Sequence, residues 1–410
     1  MILATLGTSM VKVLVVTRCH AQYGAVHNHR DLCDTPLARG NVYLDNAGAG
    51  PPPVPVYEAM RSFLEEWRDY GEKWEAWLLE IVRAREKFAQ LIGAGVDDVA
   101  CVPNVTSGLA AIASALRLKP GQNVVVSELN FPTNIYMWHS LKEKGVVSEV
   151  RVLKAEDGQI PLASFERAID DKTAAVSIDY VTWINGCRED IPKVTRIAHS
   201  HGALMLVDAF HAIGVFPVDV HKLGVDVLTC GTYKWLMGPH GAAFLYVNRE
   251  IFDRLEPTIM GWHGISDSVV ARVQSKQDTF GRPFNLSTVE PAKDATRFEW
   301  GTWSVISVAG ARAAIEYTLK YAPEDRAPRI ERLNERLRDG VRKKMRKITS
   351  PEEKGRRSGI VTFQVDDVSK VARKLQQEGV VVAPRVNVLR VSPHFYNTED
   401  EIDKLLEKIS

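Results

Sequence analysis

Three side chains near the middle of the chain have types and contexts that suit joint chemistry. Lys234 lies in CGTYKWLMGPHG, just after an apolar run and inside an aromatic, glycine-rich turn. Most lysines are solvated, but one held in an apolar turn at a strand end is a candidate amine nucleophile with a depressed pKa. Moving a lysine from about 10.4 to about 7–8 corresponds to roughly 4 kcal/mol, a cost that a reacting amine explains. Asp208 closes the run ALMLVD, at the carboxyl end of a buried strand, where open α/β sheets bind ligands. Taken alone it would be an ion-pair partner or a helix cap, because a buried carboxylate must be paired. His211 follows in VDAFHAIG; a structural, helix-capping histidine is the bland alternative.

A fourth element supplies an anion site. The stretch VACVPNVTSGLAAIASAL reads as strand, turn and helix, with Thr106 and Ser107 at the junction. Hydroxyls and free N–H groups at a helix N-terminus suit a phosphate. The stretch is neither a P-loop nor a dinucleotide fingerprint, since GxxxxGK[ST] and GxGxxG are both missing. A phosphate cradle, an acid for a pyridinium nitrogen and a lysine for an aldehyde are together what pyridoxal phosphate requires. The acid keeps the ring nitrogen protonated, so the ring can absorb electrons. The lysine holds the aldehyde, exchanges with a substrate amine and moves protons at Cα.

These groups need a scaffold that delivers them to one place. The runs at Asp98–Val102, Asn123–Val126, Ala174–Ile178, Ala203–Val207, Val225–Thr229 and Ala242–Val247 are continuously apolar rather than alternating. Such runs mark strands buried on both faces. Helical patterns such as Leu109–Leu118 alternate with them, so the fold class is α/β with a mainly parallel central sheet and helices on both faces. Asp267–Ala295 is polar and aperiodic and reads as a long loop. Beyond it come helical patterns at Val308–Tyr321 and Arg329–Lys347, a strand at Gly359–Val365, a helix at Val368–Glu378 and strands near Val380 and Val388. The organisation expected is a tail over 1–40, a large α/β domain over 41–307 whose first segment contributes to the small domain, and a small α+β domain over 308–410.

Composition narrows the partners. The 52 basic and 51 acidic residues give a net charge of +1, which removes the chain-wide electrostatic case for nucleic acid or an anionic membrane. No apolar run reaches the ~18 residues of a membrane span. The five cysteines, at 19, 33, 101, 187 and 230, include no CxxC pair. They are not a disulfide framework, and they fit a reducing, cytoplasmic setting. The opening MILATLGTSMVKVLVV lacks a basic n-region and is interrupted by Lys12, so it reads as a tail, or as a start placed upstream of Met10, rather than a signal peptide. His199, His201 and His240 offer no ligand spacing, so no metal is expected.

The ordered motifs YLDNAGAGPPP, VSIDYVTWINGCREDI, LMLVDAFHAIGVFPVDV, GTYKWLMGPHG, RFEWGTWS and LRVSPHFYNTEDEID resemble the class V aminotransferase family of fold-type I pyridoxal phosphate enzymes. Cysteine desulfurases, kynureninase and isopenicillin N epimerase are members. The motif set is specific for the family and not for the reaction. The resemblance implies that Lys234 is the Schiff-base lysine, that Asp208 partners the pyridine nitrogen and that His211 contacts the ring hydroxyl. It implies a phosphate-binding turn at Thr106 and Ser107, with Tyr233 also on the phosphate. Thr302 matches a residue that reaches the phosphate of a partner subunit, which implies a homodimer. Arg390 matches the arginine that grips the substrate carboxylate. It also makes sense unaided, since it interrupts an apolar strand and its planar fork suits a carboxylate.

Departures from the family pattern carry information. Phe131, in SELNFPTN, stands where desulfurases stack a histidine on the ring; phenylalanine can stack there but cannot move a proton. Desulfurases also need a late thiol to accept sulfur as persulfide, because a thiolate is the nucleophile. No cysteine follows Cys230, and the matching region reads VVVAPRVNVL, which argues against persulfide transfer. Trp262 and His263 are expected to shape the substrate pocket, and Arg385 is a second candidate for a substrate carboxylate. The expected function is an enzyme acting on an amino acid with pyridoxal phosphate, closest to isopenicillin N epimerase in flavour. Aminotransfer leads, epimerisation stays open, and a C–S lyase without a persulfide cysteine is the alternative. From another class, an inactive binding protein of the same fold is the competing reading. The sequence does not choose the amino acid or the pathway.

Overall fold

The computed structural model describes residue 37 and residues 41–281 and 283–409. Residues 1–36, with Cys19 and Cys33, lie outside the described residues. The chain opens on β1 (Val42–Tyr43), followed by α1 (Val54–Tyr70) and α2 (Trp74–Ile92). Seven strands then alternate with helices: β2 (Val99–Val102), α3 (Val105–Ala115), β3 (Asn123–Ser127), α4 (Pro132–Glu143), β4 (Glu149–Leu153), α5 (Leu162–Ala168), β5 (Thr173–Asp179), α6 (Ile191–Ser200), β6 (Leu204–Asp208), α7 (Val220–Leu223), β7 (Val227–Gly231) and β8 (Ala243–Val247). Their order in the sheet is β2-β8-β7-β6-β5-β3-β4.

Burial explains why these strands read as continuous apolar runs. Val124, Val126, Leu204 and Leu206 pack into one cluster, while their neighbours Val125, Met205 and Val207 pack into another on the opposite face. The sheet is therefore covered on both sides, as a period of two through an all-apolar strand requires. The strands are parallel except β8, which runs antiparallel to both β2 and β7. An apolar run reads the same in either direction, so its orientation was not in the pattern. The expected strand at Val225–Thr229 begins instead at Val227, because the Asp226 carboxylate accepts the Met205 N–H at 2.7 Å where a ladder bond would otherwise form. The expected helix at Leu109–Leu118 begins earlier, at Val105, because the Asn104 side chain caps it by accepting the Ser107 N–H at 2.8 Å. Edge strand β4 is half exposed and lacks the apolar signature.

After the sheet come α8 (Val269–Gln274), set within the otherwise irregular 267–295 stretch, then α9 (Val305–Leu319) and α10 (Pro323–Lys343). Helix α9 packs on α1 and α2. The chain ends with β9 (Val361–Gln364), α11 (Val368–Gln377), β10 (Val380–Val381), β11 (Ala383–Arg385), β12 (Val388–Val391) and α12 (Glu399–Lys408). Leu44, Leu333, Phe363, Leu375, Leu389 and Ile402 form a separate core there. The start of the chain is woven into it. β1 pairs in parallel with β10, Asn46 donates to the Ser392 carbonyl at 2.9 Å, and the Tyr396 hydroxyl donates to the Asn46 side chain at 2.9 Å. Among the described residues, no helix is long and apolar enough to cross a membrane, and no cluster of three or more His, Cys, Asp or Glu could hold a metal.

Candidate active site

Strands β5, β6 and β7 end at one edge of the sheet and bring their last residues side by side. Asp179 is the register partner of Asp208, and Asp208 in turn pairs with Thr229. The turn after β7 carries Lys234. A cavity at this edge is walled by Thr106, Phe131, Asp179, Asp208, His211 and Lys234, with Tyr233 also on its rim. This is the carboxyl edge of the parallel strands, where open α/β sheets place ligands.

Lys234 is 8% exposed. Burial pushes its pKa down to about 8, against the pull of Asp208 and with help from Arg390. Its Nζ lies 2.9 Å from His211 Nε2 and 4.1 Å from the centre of the Phe210 ring. The Trp235 indole N–H donates to His211 Nδ1 at 3.3 Å. An indole nitrogen can only donate, so Nδ1 accepts and the imidazole hydrogen sits on Nε2. Burial first, then the charges of Lys234, Arg390 and Arg385, hold His211 neutral. Its Nε2–H therefore points at Nζ, which can receive it only as a free amine. Indole, imidazole and amine form a relay of hydrogen bonds that favours the nucleophilic form of Lys234.

The loop around the lysine is fixed from several sides. His394 Nε2 donates to the Trp235 carbonyl at 2.9 Å. The Gly50 N–H donates to the Tyr233 carbonyl at 2.8 Å, and a Cβ on Gly50 would come within 2.2 Å of the Lys234 carbonyl. Met237, fully buried, has φ +55°, a conformation that costs a non-glycine residue of order 1 kcal/mol or more and tends to occur at functional turns.

Two acids face the lysine. Asp208 accepts the Phe210 N–H at 2.9 Å. Asp179 accepts the Phe131 N–H at 2.6 Å and the Asn134 amide at 3.4 Å. Burial raises the pKa of both, and the charge of Asp208 raises Asp179 further. Asp179 escaped the sequence reading, although it ends the run AAVSID just as Asp208 ends ALMLVD. Phe131, placed by Asp179, is 43% exposed on the rim and lies edge-on to Trp183 at 5.8 Å.

The remaining expected residues divide. At the start of α3 the helix geometry leaves the first N–H groups without carbonyls to bond. Thr106 is exposed and lines the Lys234 cavity. Ser107 is bound to Asn104 through both its N–H and its hydroxyl, and it faces an adjoining hollow together with Thr302, which is exposed. Tyr233 stacks on His240 at 3.9 Å and meets Phe210 edge-on at 4.9 Å. Arg390 is 2% exposed. It donates to the Trp183 carbonyl at 3.0 Å and to Asp45 at 3.2 Å, while its Nε is buried without a partner. Trp262 and His263 are not among the walls of the Lys234 cavity; His263 packs against Trp262 and Trp303 at 4.3 and 4.0 Å. Cys101, Cys187 and Cys230 are buried, and burial pushes each thiol upward, to about 12 for Cys187.

Comparison with known proteins agrees with this geometry. The family model of aminotransferase class V matches residues 42–405. The chain is 31% identical to the uncharacterized aminotransferase YcbU of Bacillus subtilis, over 87% of this chain and 90% of that protein. It is 30% identical to a probable cysteine desulfurase of Methanothermobacter thermautotrophicus, over 92% and 96%. Among solved structures, the apo cysteine desulfurase of Thermococcus onnurineus superposes with a TM-score of 0.81 at 24% identity, over 91% of this chain and 95% of that one.

The residues present fit pyridoxal phosphate. The cavity joins the N-terminus of α3, a buried carboxylate and a buried lysine amine. Gly231 leaves the room that Phe210 fills, since a Cβ there would meet the ring at 2.5 Å. The chain is an α/β, fold-type I pyridoxal phosphate enzyme and belongs to the class V aminotransferase family.

Proposed function

We propose that this enzyme transfers the amino group of an amino acid to a 2-oxo acid, working at the Lys234 cavity. The observation that carries this is the buried Lys234 amine, 2.9 Å from His211 Nε2 and opposed by Asp208. When bound, pyridoxal phosphate supplies an electron sink for the charge left at Cα. Lys234 would hold the aldehyde end, and its amine would accept and return the Cα proton. Asp208 would hold the proton on the ring nitrogen, and His211 would offer its Nε2–H to the ring hydroxyl. Thr106 and Tyr233 would hold the phosphate, with Ser107 fixed beside them by Asn104 and Thr302 reaching across from a second copy in a homodimer. Phe131 covers the ring face and keeps water out. Arg390 takes the α-carboxylate through its unpartnered Nε.

A C–S lyase is the second reading, supported by the desulfurase relative at 30% identity. It would work without a protein thiol, since the described cysteines are buried and held as thiols. Borohydride reduction of the holoenzyme followed by peptide mass spectrometry should place the adduct on Lys234. Product assays should then show amino transfer to 2-oxo acids. Release of pyruvate and sulfide from cysteine would select the lyase. An unlabelled Lys234 would overturn both readings.

A further inference from the structure

We propose that Arg385 is a second anion-binding guanidinium of the substrate pocket, and that the substrate is an amino acid with a further acidic group on its side chain. This rests on the reading above, in which Arg390 takes the α-carboxylate.

The placement follows from strand register. In the β11–β12 hairpin, Ala383 pairs with Arg390 and Arg385 pairs with Val388. Cross-strand partners share a sheet face, as do residues two apart along a strand. Arg385 and Arg390 therefore lie on the same face as diagonal neighbours, roughly 7–8 Å apart at the backbone. Arg390 sits at the buried end of that line, and Arg385 sits half-exposed at the turn. The turn is tight: Val386, 77% exposed, takes φ +49°. A β-branched residue is a rare occupant of that region, and the turn holds Arg385 in register.

The charges around the pair are uneven. Arg390 has a carboxylate partner in Asp45 at 3.2 Å. The hydrogen bond recorded for the Arg385 guanidinium goes to the carbonyl of its own neighbour Pro384, at 2.8 Å. Yet the charge of Arg385 is felt inward, lowering both Arg390 and the buried His211 that faces Lys234. The hairpin thus carries two guanidinium groups on one face, one buried and one half-exposed. Arginine forks recognise planar anions bidentately, and the spacing suits a short amino diacid whose two carboxylates are a few bonds apart.

The test is to titrate the holoenzyme with L-aspartate and L-glutamate against L-asparagine and L-glutamine, following the cofactor absorbance. The amides keep the size and remove the charge. We expect the acids to bind about 10- to 100-fold more tightly than their amides. R385Q should bring that ratio close to one, and R385K should restore part of it. A ratio near one in the unaltered enzyme, or an R385Q change that weakens acid and amide equally, overturns the proposal. If no amino acid alters the spectrum, the catalytic reading has failed instead. Calorimetry with succinate then decides on Arg385 alone: binding weakened by R385Q supports it, and no binding, or binding that R385Q leaves intact, overturns it.

Discussion

Two buried polar clusters at the edges of the large sheet invite comparison. In one, Arg356 donates to Glu189 at 3.0 Å, to the carbonyls of Arg188 and Ile160 at 3.2 and 3.1 Å, and to Gln159 at 3.1 Å. Every arm of that guanidinium has a partner, and the knot ties the segment before β9 to the loops that lead into α5 and α6 of the large domain. In the other, Lys234 meets one imidazole, two acids press on each other, and Arg390 keeps an unpartnered Nε. A saturated buried charge builds structure, whereas an unsaturated one is held ready for something that is not part of the chain.

Replacing Lys234 with Ala should produce the largest effect. Turnover should fall by at least about 10³-fold, while the unfolding midpoint holds or rises, because a buried cation has gone. A matching loss of stability would make the two clusters alike and break the contrast. Glu189→Ala should do the reverse. It strands Arg356 and should destabilise by about 3 kcal/mol in denaturant unfolding, with the cofactor spectrum of the remaining native protein unchanged. Glu189→Gln should cost less, because the amide still accepts a hydrogen bond.

The pH dependence of stability sharpens the comparison further. Lys234 is held near 8 in the folded protein, below its ordinary value of 10.5. Between those values the unfolded chain carries a proton that the native state lacks, so stability rises with pH across that window. Below about pH 8 both states are protonated and the penalty is constant. Below pH 8, Lys234→Met should therefore stabilise the cofactor-free protein by about 3 kcal/mol, taking 1.36 kcal/mol per unit, and that gain should fade towards zero as the pH rises from 8 to 10.5. Parallel pH curves for the two proteins would exclude the depressed amine.

The smallest predicted effect concerns the hydrogen-bond relay. Trp235→Phe removes the donor to His211 Nδ1 and frees the ring to change tautomer. We expect a loss of about 5-fold in kcat/KM, an energy of order 1 kcal/mol. In a His211→Gln background, where no tautomer exists to be fixed, the same substitution should add nothing. A full additional loss there would show that the indole acts by packing alone.

The sequence made one side of this comparison easier to read than the other. Lys234, Asp208 and His211 follow buried apolar runs, and a charge at the end of such a run stands out. Asp179 carries the same signal at the end of AAVSID. The hydroxyls at Thr106 and Ser107 marked the start of α3, but Asn104 does the capping and occupies Ser107. That choice depends on side-chain geometry rather than on residue type. The tautomer of His211 depends on an indole brought in by the fold of its own loop. Neighbourhood between Arg385 and Arg390 needs the hairpin register, which their spacing along the chain does not supply. The Arg356 knot was invisible, because its partners at residues 159, 160, 188 and 189 lie far away in the chain.

The interlacing of residues 42–46 with strand β10 and the 392–396 segment has a consequence for biosynthesis. Ser392 leaves the ribosome 346 residues after Asn46. The small domain therefore cannot close its hydrophobic centre until β12 has emerged, and its first strand must wait, unpaired, for β10. Chains that stop short of β10 would carry a complete large sheet but an open seam, ready substrates for quality-control proteases.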